Sequence, residues 1–170
     1  MIIIGYPGVG KSTASKMFRE VVNLNSTFFD NKELYCNVAI ELSKQNLLVC
    51  VSSHKEVVEC LLKSDEPICV VYPNKNLKSA WVNIVRNRYL GDKTDENYKA
   101  LMRVWGHFES DISFLSGTPF DKIELNDGEF LANKLVPPTP PENQEEDNTE
   151  ELVEDEVVEE VVENENEDSE

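Results

Sequence analysis

The amino-acid sequence predicts an α/β fold in which helices cover a parallel β-sheet. Three observations lead to this prediction. Short, fully apolar runs alternate with longer stretches of helical periodicity. The runs lack the polar alternation of a half-exposed strand, which is typical of parallel strands buried on both faces. The first run leads through a glycine-rich loop into an amphipathic stretch, the order of a βαβ unit.

Each predicted element rests on a local pattern. Apolar runs of three to five residues that end at a turn residue or a charge are taken as strands. The second of these runs ends at Asp30 and the fourth at Pro73. The expected strands are residues 2–4, 27–29, 47–51, 68–72 and 123–125. The expected helices are residues 11–22, 33–44, 56–63, 77–90, 96–115 and 128–134.

The charge distribution divides the chain into two parts. The 170 residues carry a formal net charge of −17, but 16 of the 33 acidic residues lie between Glu142 and Glu170. Residues 1–134 then hold 17 acids against 16 bases and are predicted to form one domain. A proline-rich spacer at 137–141 separates this domain from the acidic tail.

The segment 135–170 has no aromatic residue, no lysine and no arginine, so it is expected to be disordered. Val153, Val157 and Val161 recur every four residues and could line a helix that forms on a protein partner. The alternative is a tail that only increases solubility.

Several classes of protein are disfavoured by what the sequence lacks. No apolar stretch is long enough for a membrane span, and no basic leader precedes the first strand. The four cysteines form no C-x-x-C pair, which suits reduced, structural thiols in the cytoplasm. The near-neutral domain has no basic excess for binding duplex nucleic acid.

The glycine-rich loop carries the most specific motif. It matches G-x-x-x-x-G-K-[ST], the phosphate-binding P-loop, and it stands between a strand and a helix as that motif requires. The glycines allow the backbone N–H groups to point at phosphates, Lys11 can reach the β- and γ-phosphates, and the Ser12 hydroxyl suits Mg²⁺. The expected cofactors are therefore ATP and Mg²⁺. The predicted binding residues are Gly5, Tyr6, Pro7, Gly8, Val9, Gly10, Lys11, Ser12 and Thr13.

The loop 5–13 in so short a chain resembles the nucleoside and nucleotide kinases (adenylate-kinase-like) of the P-loop class. It is most similar to small ATP-binding proteins that bacteriophages encode, which implies a location in the host cytoplasm. The resemblance covers about residues 1–134 and implies a three-layer α/β/α sandwich with strand order 2-3-1-4-5. It also implies a lid between strands four and five whose arginines, here Arg86 and Arg88, stabilise the transferred phosphoryl group.

An aspartate at the end of the second strand serves several such kinases as base or indirect magnesium ligand, which implies this role for Asp30. The third strand departs from the pattern of many P-loop proteins, because Ser52, Ser53 and His54 follow it instead of an aspartate. His54 is expected to contact substrate or to cap the next helix, with the cap favoured. Residues 30–60 contain no arginine to grip an acceptor phosphate.

Two functions remain open. The first is a kinase that transfers the γ-phosphoryl group of ATP to a nucleoside-, nucleotide- or polynucleotide-like acceptor, with Lys11, Asp30, Arg86 and Arg88 as catalytic residues. The second is a non-catalytic ATP-binding module that presents its acidic tail to a protein. A GTPase is disfavoured because Leu77 replaces the guanine-reading aspartate of N-K-x-D.

Overall fold

Five parallel strands form one sheet in the computed structural model, which describes residues 1–135. The sheet order is β2-β3-β1-β4-β5, so the order implied by the resemblance is confirmed. The predicted spacer and acidic tail at 135–170 lie outside the described residues except for Leu135, which ends a helix. The strands are β1 (Ile2–Gly5), β2 (Val21–Asn23), β3 (Leu48–Ser52), β4 (Ile68–Pro73) and β5 (Asp121–Leu125).

Strand β1 lies at the centre of the sheet. Its Ile3 is in register with Cys50 of β3 on one side and Cys69 of β4 on the other. All residues of β1 are buried, which is why its sequence is apolar without alternation. Because the strands are parallel, the loop after β1 emerges in the middle of the carboxyl edge of the sheet, where open α/β sheets bind ligands.

Six α-helices connect and flank the strands in the described part of the chain. The second to sixth helices lie where they were predicted, and only their first and last residues differ from the prediction. Four cysteines remain free, three of them buried, as expected for structural thiols. The helices are α1 (Lys11–Met17), α2 (Lys32–Lys44), α3 (Lys55–Leu61), α4 (Lys78–Gly91), α5 (Asp95–Ser116) and α6 (Leu131–Leu135).

The second strand was predicted in the wrong place. The structure ends α1 at Met17 and forms β2 from Val21–Asn23, residues that the sequence placed in the first helix. The apolar run 27–29 instead belongs to a 3₁₀ turn and the residue after it, and Phe28 is 84% exposed. Strand β2 is set by pairing with β3, a non-local contact that overrides helical periodicity. Asp30 is therefore seven residues beyond the strand that it was expected to close.

The connection between β4 and β5 consists of α4 and α5, which pack on each other, while α5 also packs on β4. Helix α5 begins after Thr94, whose side-chain oxygen accepts a hydrogen bond from the backbone N–H of Asn97. This cap fixes the first turn of α5, which contains Asp95 and Glu96, near the carboxyl edge of the sheet.

Candidate functional site

The glycine-rich loop between β1 and α1 has the backbone that its sequence demands. Gly8 and Gly10 have φ angles of 89° and 91°, which side chains with a Cβ rarely adopt. Gly10 immediately precedes α1. The loop and the first turn of this helix therefore lie at the carboxyl edge of β1, and amide groups at the start of a helix suit an anion.

Neighbouring elements hold this loop from two sides. On the α4 side, the Trp81 indole Nε1 donates a hydrogen bond to the Pro7 carbonyl at 2.8 Å, and a Cβ at Gly8 would lie only 2.9 Å from that nitrogen. On the α6 side, the Leu131 backbone N–H donates to the Val9 carbonyl at 2.8 Å. The loop conformation is thus fixed by tertiary contacts and by its own glycines.

Lys11 turns back over the loop that precedes it. Its Nζ donates to the Gly5 carbonyl at 2.6 Å and contacts the Tyr6 carbonyl at 3.4 Å. Burial, together with smaller effects of the positive charges of Arg88 and Arg103, lowers the pKa of Lys11 from its ordinary 10.5 to about 8, against opposing effects of Cys50 and Glu96. An anion at the loop would favour the charged ammonium.

The start of α1 meets the end of β2. The Asn23 side-chain Nδ2 donates to the Ser12 hydroxyl at 3.1 Å, which leaves lone-pair capacity on that oxygen for a cation. Tyr35 joins the ends of two strands, because its hydroxyl donates to the Leu24 carbonyl and accepts from the Ser52 N–H, both at 2.9 Å. Burial raises the pKa of Tyr35 to about 12, so this hydroxyl stays protonated as the double contact requires.

The end of β3 offers hydroxyl and imidazole groups. His54 Nδ1 lies 3.1 Å from the Ser52 hydroxyl. His54 occupies the residue before α3, but its side chain makes no capping hydrogen bond, so the favoured capping role was wrong. Burial lowers the pKa of His54, and Arg103 contributes to the same effect, which favours the neutral ring. Within residues 1–135, no three His, Cys, Asp or Glu side chains cluster closely enough to hold a metal ion.

Arg103 on α5 is held rigidly against this edge. Its Nε donates to Asp111 at 2.7 Å, one terminal nitrogen donates to the Ser53 carbonyl at 2.8 Å, and the guanidinium carbon lies 5.6 Å from the centre of the Tyr6 ring. These three contacts leave the Arg103 side chain little rotamer freedom. The guanidinium is therefore a fixed positive charge beside the loop.

These residues surround a cavity of about 540 Å³. One side is the glycine-rich loop and the start of α1, and a second side is the segment 23–27, which begins with the last residue of β2. The end of β3 and the facing sides of α4 and α5 close the remainder. The charged side chains on the wall are Lys11, Arg88, Asp95, Glu96, Lys99 and Arg103.

The predicted site residues fall into two groups. Gly5, Pro7, Lys11, Ser12 and Arg88 border the cavity. The other predicted residues lie outside its lining, as far as the described residues define it. Of those, Tyr6 and Val9 are fully buried and belong to the core, whereas the exposed residues are Thr13, Asp30 and Arg86.

Asn23, Asn25 and Glu96 were missed by the sequence analysis, although they border the cavity. The first two depend on where β2 ends, which periodicity did not locate. Glu96 was read only as the beginning of a helix. The available signal was its position in the first turn after Thr94, a capping residue, in the connection where the lid was expected.

Neither a scan against protein-family models nor a search of curated proteins gives a match to this chain. Residues 1–135 contain no helix that combines the length and apolar character needed to cross a bilayer.

Proposed function

We propose that the chain is an ATP-dependent phosphotransferase that acts on a nucleoside-, nucleotide- or polynucleotide-like acceptor. The observation that carries the proposal is one cavity that is bordered by the glycine-rich loop, Lys11 and Arg88. The loop amides and Lys11 would hold the β- and γ-phosphates, and Arg88 would stabilise charge on the transferred group. Catalysis of this kind depends on positioning more than on covalent chemistry.

The Ser12 hydroxyl fits a magnesium ion that accompanies ATP. It stands at the first turn of α1, and the hydrogen bond from Asn23 orients it without using all of its lone pairs. Mg²⁺ usually takes few protein ligands and keeps several waters, so the absence of an acidic cluster from the described residues does not conflict with it. The ion would neutralise part of the charge on the β- and γ-phosphate oxygens.

ATP binding is tested by calorimetric titration of wild type and Lys11→Ala in the presence of Mg²⁺. We expect the variant to lose binding and to keep or slightly raise its thermal midpoint, because it loses a buried charge that is held by backbone carbonyl groups. Arg19→Ala, which removes an exposed cation outside the cavity, is the matched control and should bind as wild type does. Equal affinity for Lys11→Ala and wild type would refute the proposed phosphate site.

A non-catalytic ATP-binding module is the second candidate. It is favoured by the hydroxyl and imidazole groups at the end of β3, where many P-loop enzymes have a carboxylate, and by the distance of Asp30 from β2. Under this alternative the acidic tail would be presented to a protein partner. Incubation with labelled ATP and a panel of nucleosides, nucleotides and oligonucleotide ends separates the two, since the module predicts no transfer to any of them.

A further inference from the structure

The cavity wall differs chemically from side to side. The cations stand on the sides formed by α1, α4 and α5, whereas the segment 23–27 presents two asparagines, a leucine, a serine and a threonine. With the β- and γ-phosphates held by the loop and Lys11, the acceptor would have to approach the γ-phosphorus from another side of the cavity. The segment 23–27 therefore borders the space left for the acceptor, and it offers amides and hydroxyls without a positive charge.

The cations on the wall are unevenly available to a second phosphate. Arg103 is already paired with Asp111 at 2.7 Å, and Lys11 and Arg88 are the cations that the proposed function assigns to the triphosphate. The other cation of the described lining, Lys99, lies on α5 with the carboxylates Asp95 and Glu96. The segment 23–27 itself holds no cation. A charged acceptor against this segment would enter a partly desolvated cavity without a counterion of its own, which is unfavourable.

Glu96 places a carboxylate on the acceptor side. Its Oε2 lies 3.4 Å from the Nδ2 of Asn25, so the first turn of α5 reaches the segment after β2. The negative charge of Glu96 also opposes the lowering of the Lys11 pKa, which places it within electrostatic range of the loop. Glu96 thus borders the same cavity as the phosphate-binding loop and contacts the neutral wall through Asn25.

The cavity also borders a buried polar group that lacks a partner. Ser53 is 1% exposed, lines the cavity, and has no hydrogen bond to its Oγ from any residue in 1–135. A buried hydroxyl without a partner is costly, and a rotation of the Ser53 side chain toward the cavity would let a polar group of a ligand supply one.

We infer, on the basis of the proposed function, that the acceptor is an uncharged hydroxyl compound of the nucleoside type and that Glu96 is its general base. In the transfer, the acceptor oxygen forms a bond to the γ-phosphorus as the bond from this phosphorus to the β,γ-bridging oxygen breaks. The electron pair of the broken bond leaves with ADP, and the hydroxyl proton passes to the Glu96 carboxylate. The products are ADP and a phosphate monoester of the acceptor.

Acceptor charge is tested with matched pairs, each nucleoside against its own 5′-monophosphate, using wild-type protein and labelled ATP. We expect kcat/KM to be at least about tenfold higher for the nucleoside, since the segment 23–27 offers a charged acceptor group no cation. Equal or better use of the monophosphate would overturn the acceptor assignment and leave the proposed function standing. If ATP binds but no acceptor is phosphorylated, the proposed function fails, and the acceptor assignment fails with it.

The base is tested with Glu96→Gln, which keeps the size and removes the proton acceptor. We expect kcat to fall about 10²-fold or more with ATP affinity within about threefold of wild type. Glu109→Gln on the same helix, which removes an exposed ion pair with Lys78, is the control and should be as active as wild type. Thermal melting shows whether Glu96→Gln remains folded. If it does not, Glu96→Asp, which withdraws the carboxylate by one methylene, is used in its place.

Asp30→Asn provides the opposing comparison, because the sequence alone pointed to Asp30 as base. Retained transfer in Asp30→Asn together with lost transfer in Glu96→Gln supports the inference. The reverse result would overturn the assignment of Glu96.

Discussion

At the scale of single residues, Lys11 is unusual because its ammonium is drawn into the protein and hydrogen-bonded to backbone carbonyls. Its pKa is about 8 in the folded chain and 10.5 ordinarily. Between those two pH values the unfolded chain binds more protons, so this group makes the free energy of unfolding rise with pH in that window. Below about pH 8 both states are protonated, and the stability cost of the buried charge is present in full.

ATP binding should take up a proton at Lys11 when the pH is above about 8. The phosphates favour the charged ammonium, so a side chain that is partly neutral beforehand becomes fully protonated in the complex. Calorimetry at pH 8.5 in buffers of different ionisation enthalpy should show uptake of about half a proton or more, and almost none at pH 7. Lys11→Arg, whose guanidinium stays charged, should show no uptake at either pH. Identical proton uptake by wild type and Lys11→Arg would contradict this prediction.

Arg86 and Arg88 provide a matched pair on one helix. Residues two positions apart on a helix point in widely different directions, and Arg88 borders the cavity whereas Arg86 is exposed outside its described lining. We expect Arg88→Ala to lower phosphoryl transfer by about 10²-fold with a much smaller change in ATP affinity. Arg86→Ala should retain nearly full activity. Equal losses in the two variants would show that the cavity observed here is not the reacting site.

At the scale of secondary-structure elements, the loop and α4 are joined by one hydrogen bond in the core, from Trp81 to the Pro7 carbonyl. Trp81 is only 1% exposed, so its removal leaves both an unfilled volume and an acceptor without its donor. Trp81→Phe should lower the free energy of unfolding by about 1–3 kcal/mol. It should also weaken ATP binding several-fold, because the loop is then less well fixed.

Trp105→Phe is the matched control for Trp81→Phe. It makes the same change on α5 at a residue that is 63% exposed, and its effect on unfolding should stay within about 0.5 kcal/mol. Denaturant unfolding of both variants measures the difference. Similar destabilisation by the two changes would mean that the Trp81 contact does not stabilise the loop.

The location of the second strand could not be predicted from hydrophobic periodicity. Lys11–Met17 and the following residues have apolar side chains at helical spacing, but Val21 and Val22 are β-branched and have partners on β3. Conversely, residues 27–29 are apolar, yet Phe28 faces outward. Apolar character alone does not distinguish a buried from an exposed aromatic ring. Because the second strand was misplaced, the sequence pointed to Asp30 on the acceptor side, where the structure has Asn23 and Asn25.

At the scale of the whole molecule, the sequence predicted the α/β class because alternation of strands and helices is a local, repeated signal. It predicted Lys11 and Ser12 because the loop motif places them by spacing alone. The strand order was implied by a resemblance and is confirmed. The wall of the cavity where Asn25 and Glu96 meet could not be predicted from the sequence. Glu96 and Asn25 are 71 residues apart in the chain and meet only through the packing of α5 against the carboxyl edge of the sheet.

The acidic tail should influence ATP binding through charge and not through the stability of the domain. Removing residues 136–170 removes all 16 acids between Glu142 and Glu170, and with them nearly the whole net charge of −17. Those residues include no aromatic side chain that could add to the core, so the thermal midpoint should change by less than about 2 °C. ATP is itself an anion, so the truncated chain should bind it more tightly at low ionic strength. At 0.15 M salt, where charges are screened beyond about 8 Å, the two affinities should agree within about twofold.

A full-length variant in which these 16 acids are replaced by Asn and Gln separates charge from contact. If the tail acts by charge alone, this variant and the truncated chain should share the same ATP affinity and the same midpoint at each salt concentration. A lower midpoint in the truncated chain but not in the neutralised chain would show instead that tail residues contact the domain. A lower midpoint in both would show that the acidic groups themselves stabilise it, through interactions with its cations.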